Sequence, residues 1–156
     1  MAHIAIEYMI LIPVLILQIF LLPYAASMIM NTWTTSIETA SLQDACSHLG
    51  SSIQQLYFFL NNPSLSSGTV TSDLDLPRYI NNYAYVGNAT LISVSGSQSI
   101  LLLSLKFMGN TISTNSPVTL GPNARWLNST FMSNSTNPVI NAYKDSNNTI
   151  WLSFKM

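Results

Sequence analysis

The side chains able to do acid–base, nucleophilic or metal chemistry are few in this chain and widely spread. The carboxylates are Glu7, Glu38, Asp44, Asp73, Asp75 and Asp145, the histidines are His3 and His48, and the one thiol is Cys46. Asp44 and His48 stand one helical turn apart, a spacing at which a surface pair contributes about 0.2–0.5 kcal/mol. Asp73 and Asp75 flank Leu74 shortly before Pro77. Two such carboxylates could touch a cation, but a loop also solvates them without one. A lone cysteine closes no intrachain disulfide and has no thiol partner for a metal. Among partly apolar helical neighbours Cys46 reads as a small core residue. No HExxH, GxSxG, P-loop or GxGxxG pattern occurs. The expectation is a protein that is not an enzyme, with no catalytic residues, cofactor or metal.

Glu7 differs from the other carboxylates. From Ile4 to about Met30 the chain is almost wholly apolar, and Glu7, Gln18 and Ser27 are the exceptions. That run exceeds the roughly 20 residues a helix needs to span a bilayer. A core helix of a small globule would not be apolar on every side. A cleaved secretory signal fits poorly, because the run is too long and no basic region precedes it. A carboxylate near the start of such a helix is costly and marks a functional position. The alternative is that Glu7 simply lies at a membrane interface.

The elements that position these residues follow from periodicity. After Met30, Trp33, Ile37, Ala40, Ala45, Leu49, Ile53, Leu56, Tyr57 and Leu60 recur at helical spacing. Thr34, Thr35, Glu38, Gln43, Asp44, Ser47, Gln54 and Gln55 fill much of the other side. The pattern predicts one helix from near Ile4 to Leu60, roughly 85 Å long at 1.5 Å per residue. Gly50 is its weak point, at about 1 kcal/mol against Ala. Asn61-Asn62-Pro63 ends it, because Pro disfavours helix at the preceding residue. Pro13 and Pro23 lie inside it, and each removes a backbone bond. They read either as simple bends or as hinges used in assembly.

Beyond Ser64 short runs of β-formers alternate with Gly, Asn, Ser and Pro. The expected strands are Thr69–Thr71, Tyr79–Val86, Ala89–Val94, Ser99–Phe107, Thr111–Ser113, Pro117–Leu120, Val139–Tyr143 and Thr149–Phe154. Ser95-Gly96-Ser97-Gln98 suits a hairpin loop. Ile100-Leu101-Leu102-Leu103 is apolar on both faces, which argues for a central strand. The fold class is α+β: a long apolar N-terminal helix, residues 1–62, followed by a small β-rich, sandwich-like head, residues 63–156. The amphipathic half of the helix is placed to cover one face of that head.

The stretch His3-Ile4-Ala5-Ile6-Glu7-Tyr8-Met9-Ile10-Leu11-Ile12-Pro13-Val14-Leu15 resembles the type IV pilin superfamily, and more closely its archaeal branch with class III signal peptides. Pro13, six residues after Glu7 within Leu-Ile-Pro-Val-Leu, is also similar to TadE-type minor pilins. The resemblance covers about the first 30 residues. It implies a prepilin peptidase cutting between Ala2 and His3, so that Glu7 becomes the fifth residue. It further implies that Glu7 pairs with the N-terminal amine of a neighbouring subunit, that the chain forms a helical homopolymer, and that an assembly platform with its ATPase extracts it from the membrane. The physics supports the pairing, since opposite charges in an apolar core attract strongly and either alone is expensive there. The family's basic leader is missing: only Met1-Ala2 precede His3, and no Lys or Arg occurs before Arg78. The expectation is a chain close to its mature form, or a start codon farther upstream.

Composition points outward from the cell. Charged residues are 7% of the 156, and the formal net charge is -1. A typical globular chain carries about 25%. Nothing here makes a basic surface for nucleic acid. Polarity comes from Ser, Thr and Asn. Asn88, Asn128, Asn134 and Asn147 each begin an Asn-x-Ser/Thr sequon, all in the head, and N-linked glycans at such sites would suit a glycosylated surface protein. The reading is a structural subunit of an extracellular adhesive filament with a membrane-inserted precursor. The alternatives are a minor pilin or pseudopilin, and a membrane-anchored surface binding module that does not polymerise.

Overall fold

The computed structural model describes residues 2–94 and 98–155, with side chains described for 9–92 and 98–155. The fold is α+β. Helix α1 spans Ala2–Leu60 and is followed by β1 (Gly68–Asp73), β2 (Tyr85–Val94), β3 (Gln98–Phe107), β4 (Ser113–Leu120), β5 (Ala124–Trp126), β6 (Thr130–Met132), β7 (Val139–Lys144) and β8 (Ile150–Lys155). The strands form two four-stranded sheets, in the orders β1-β7-β8-β5 and β4-β3-β2-β6. All pairings are antiparallel except that of β5 with β8. The chain divides into two compact units, Met1–Ile37 and Glu38–Met156. The division falls inside α1, so the second half of the helix belongs with the sheets.

Within the second unit one stripe of α1 is buried: Leu42, Ala45, Cys46, Leu49, Ile53, Tyr57 and Leu60. These positions recur every three or four residues, as one helical face requires. Two expectations are corrected here. Trp33, Ile37 and Ala40 are exposed, whereas the expected stripe ran through them. Glu38, expected on the polar side, is only 7% exposed. Counting back from Leu42 by one turn reaches Glu38, whereas Trp33 and Ile37 fall on other faces. The stripe seats against β3 and β4. A Cβ on Gly50 would stand 2.9 Å from Val118 Cγ2, so the residue that weakens the helix locally lets it approach the sheet closely. Gln54 Nε2 donates to the Thr119 carbonyl at 3.3 Å, and Thr114 and Gln43 share a side-chain hydrogen bond.

β3 holds the central place expected of it, between β2 and β4. Leu101, Leu103, Leu105 and Phe107 are buried on one face, and Ile100, Leu102 and Ser104 are half-buried on the other. In the second sheet Ile140, Ala142, Ile150, Leu152 and Phe154 point into the same core. Phe131 and Trp126 lie edge-on to Phe154, with ring centroids 4.8 and 4.9 Å away.

Several strand boundaries differ from expectation. Of Tyr79–Val86 only the last two residues belong to a strand. Before them Ile80 and Tyr83 exchange hydrogen bonds at 3.0 and 2.9 Å around Asn81 and Asn82, whose φ values are 48° and 66°. Asn tolerates this left-handed region better than most residues. β2 then runs unbroken through Gly87-Asn88, where sequence placed a break. A Cβ on Gly87 would lie 2.1 Å from Phe131 Cε1, so this glycine admits a ring over the strand and does not mark a turn. Thr111–Ser113 and Pro117–Leu120 are replaced by one strand, Ser113–Leu120. Pro117 is accommodated because β4 is an edge strand. Strands β5 and β6 were not expected at all.

The exit from α1 is held by a buried cation. Lys144 is 2% exposed, and its Nζ donates to the carbonyls of Asn62 at 3.0 Å and Leu65 at 2.8 Å. Asn62 also turns the chain, its Oδ1 accepting from the Ser64 amide at 3.0 Å. The helix end and the last antiparallel hairpin are thereby tied together.

Gly87→Ala tests the ring-over-strand packing. Overpacking of this kind costs about 1–3 kcal/mol. Thermal unfolding of the variant should show a clear fall in midpoint, and an unchanged midpoint would contradict the contact with Phe131.

Candidate functional site

The most unusual surface of this chain is the apolar face it presents in the first unit. Among the described residues, Met9, Ile10, Phe20, Leu22, Ile29, Met30 and Trp33 are all more than 60% exposed. Pro13, Ile16, Leu17, Phe20, Leu21 and Tyr24 line a shallow depression of about 700 Å³. They recur at three- and four-residue intervals, so they form a stripe along the helix. A second depression of about 550 Å³ lies beside Met28, Ile29, Trp33 and their neighbours. The helix is long and apolar enough to cross a membrane, and is compatible with membrane insertion.

Some of the side-chain polarity in this unit is handled locally. The helix assignment is continuous through Pro13 and Pro23. The hydroxyls of Thr32, Thr34 and Ser36 each donate to the carbonyl four residues earlier, at 2.9 Å in every case. A hydroxyl satisfied in this way carries little desolvation penalty into an apolar environment. Ala2, His3 and Glu7 lie in the helical backbone, but their side chains are outside the described residues.

The sequons are distributed over the second unit, and all four asparagines are exposed. Asn128 lies between β5 and β6, Asn134 in the turn after β6, and Asn147 in the turn between β7 and β8. Asn88, unlike the other three, is not in a turn or loop. It lies within β2, paired with Ser104 of β3 and Thr130 of β6. Its side chain nonetheless points to the exposed face, because Gly87 and Ala89 on either side are the buried ones.

Among the described residues, the side chains with chemical potential are scattered, apart from Asp73 and Asp75, which line one shallow depression with Arg78. Asp44 and His48 are both exposed on α1. Asp73 and Asp75 bracket the buried Leu74, and Asp75 takes a φ of 45°. Among the described residues no three His, Cys, Asp or Glu side chains group to hold a metal ion. Cys46 is fully buried, its Sγ 4.0 Å from the Leu103 carbonyl. This is the core position expected of it. Burial pushes the Tyr85 hydroxyl up to about 12. That hydroxyl donates to the Pro77 carbonyl at 2.6 Å, while the Tyr85 amide donates to Ser133 Oγ at 2.9 Å. Ser133 Oγ in turn donates to the Arg78 carbonyl at 2.8 Å. Tyr85 is a structural tie over the loop before β2. Sequence reasoning missed it, since a tyrosine within a strand carries no local signal of a distant acceptor.

No family model, curated protein or solved structure matches this chain.

The Tyr85 shift sets a pH dependence. The fold favours the neutral phenol, so its contribution is complete below the ordinary tyrosine value of about 10 and is lost as pH rises toward about 12. Tyr85→Phe should lower stability at neutral pH by about 0.5–1.5 kcal/mol through the lost hydrogen bond. It should also flatten the fall in melting temperature above pH 10. An alkaline limb as steep as that of the wild type would reject this assignment.

Proposed function

We propose that this protein is a structural subunit of an extracellular type IV pilus-like filament, inserted in the membrane before assembly and polymerising through its N-terminal helix, with surface adhesion as the role of the fibre. The observation that carries the reading is the continuous exposed apolar surface from Met9 to Met30, headed by the lone carboxylate of Glu7 at the position where type IV pilins have one.

The energetics give the direction of the process. Removing one large aliphatic or aromatic side chain from water contributes about 1.5–3 kcal/mol, so the exposed surface has no stable home in water. Lipid satisfies it, and so does a neighbouring copy of the same helix. Passing from lipid to a protein partner gains little, because lipid is already apolar. Extraction is therefore work done by a motor, while a finished fibre is held against dissociation into water. Contacts that repeat without closing give an open fibre. Within that core Glu7 finds a counter-charge in the amine of the chain starting at His3, after a prepilin peptidase has cut beyond Ala2. Pro13 sits in the stripe that would face a neighbour, and Pro23 lies outside that stripe. The head, with N-linked sugar at one or more of Asn88, Asn128, Asn134 and Asn147, faces solvent.

Glu7→Ala decides between this reading and an anchored surface module. The variant should still fractionate with membranes, and its yield of surface fibres, counted by negative-stain microscopy, should fall by about tenfold or more, since an unpaired buried charge costs about 3–5 kcal/mol. Wild-type fibre yield would remove the pairing role, and absence of fibres from the wild type would favour the anchored module. Mass spectrometry of the same surface material should find a chain beginning at His3 and at least one glycosylated sequon.

A further inference from the structure

We propose that the head binds a neutral carbohydrate in the cleft formed by the end of α1, the start of β3 and the turns before β5 and between β7 and β8. The cleft has a volume of about 580 Å³, within the roughly 300–1,000 Å³ of small-molecule sites. Its lining among the described residues includes no Asp, Glu, Lys, Arg or His. Side-chain amides take their place: Gln54, Asn61, Gln98, Asn123 and Asn148, with the 61%-exposed ring of Phe58 beside them.

The hydrogen bonds sort these amides into a fixed frame and a free set. Tyr57 donates to Asn123 Oδ1 at 2.6 Å, and Asn123 Nδ2 donates to Asn61 Oδ1 at 3.0 Å and to the Asn148 carbonyl at 2.8 Å. Both N–H groups of Asn123 are used, so its orientation is set. Gln54 uses Nε2 on Thr119 and keeps Oε1 as an acceptor. Asn61 uses Oδ1 and keeps two donors. Gln98 keeps both ends of its amide. The cleft therefore offers neutral donors and neutral acceptors together, held on a helix end and a strand.

That pattern selects a ligand class. A phosphate or carboxylate would look for a cation, and the lining supplies none. A metal ion would look for carboxylates. An apolar ligand would leave the free amides unpaired, at about 1–3 kcal/mol for each group. A sugar hydroxyl donates once and accepts twice, which matches an amide at either end. The C–H face of a pyranose suits the electron-rich face of Phe58. The same chemistry arises from two sources: a glycan of this protein, since Asn147 neighbours Asn148, or a glycan of another surface.

The test uses the full chain in alkylphosphocholine micelles, which contain no sugar. Cellotriose, chitotriose and mannotriose are titrated by calorimetry, with sialyllactose and glucose 6-phosphate as charged comparators. At least one neutral trisaccharide should bind with a dissociation constant on the order of 1 mM or tighter, and the charged comparators about tenfold more weakly. Phe58→Ala and Gln98→Ala, both at exposed positions, should each weaken binding by about fivefold to tenfold with an unchanged melting temperature. No binding of any neutral trisaccharide, equal binding of the charged ones, or wild-type affinity in both variants would overturn the proposal. The source is read from native glycosylated material. Binding that appears only after Asn147→Gln points to the protein's own sugar, and equal binding before and after points to an external one.

Discussion

Leu17 and Phe20 need a non-aqueous neighbour, and the surrounding turns of α1 need one together with them. The helix between Met9 and Met30 satisfies most of its backbone internally, apart from the bonds that Pro13 and Pro23 remove, so the remaining demand is mainly one of side chains. A single exposed leucine is unremarkable on any protein. A surface of this length is not, because each large side chain adds its own free energy of about 1.5–3 kcal/mol. No rearrangement of this unit alone can bury residues that lie on every face of one helix. The neighbour must come from outside it, as lipid or as protein.

The second half of the helix solves a different problem. From Glu38 onward the helix has one apolar face, and the sheet β4-β3-β2-β6 supplies the surface it needs. Gly50 sets how closely helix and sheet approach, and the interlock continues through Gln54 with Thr119 and Tyr57 with Asn123. At the far end Lys144 Nζ binds carbonyls just beyond the helix. A cation there meets the negative end of the helix dipole as well as two acceptors, which is why a lysine that is almost wholly enclosed does not need a carboxylate. These contacts use polar groups at the edges of the interface and leave its centre to Leu49, Ile53, Leu101 and Leu103.

Sequence reading succeeded where one signal dominated. The helix end at Leu60 is legible because Asn61-Asn62-Pro63 follows a long periodic stretch. β3 is legible as central because Ile100 to Leu103 leaves no polar face. It failed where two readings share a pattern. Gly87-Asn88 has the composition of a turn, but the glycine exists for Phe131, forty-four residues on in sequence. Glu38 looks like surface because it is charged, although its place in the helical repeat is that of Leu42. β5 and β6 are three residues each, too short for alternation to register, and β5 owes its place to a parallel pairing with β8. Of the positions proposed for assembly, Pro13 and Pro23 were readable as residues inside a helix. The cleft of amides was not readable, because Gln54, Gln98 and Asn148 meet only once the sheets have formed.

The scarcity of charge ties these parts together. With 5 basic and 6 acidic residues in 156, the chain carries little long-range field. On most soluble proteins this would invite precipitation. Here much of the polarity is short-ranged, made of amides and hydroxyls that act only at hydrogen-bond distance. Such a surface is nearly indifferent to ionic strength, because salt screens charges and leaves neutral hydrogen bonds largely alone. It also sets what the head can recognise. The lining of the proposed cleft, which has no cation or carboxylate among the described residues, would discriminate by the fit of donors and acceptors, which favours a neutral ligand. The apolar helix and the charge-poor head thus share one feature: short-range contact geometry outweighs distant electrostatics in both.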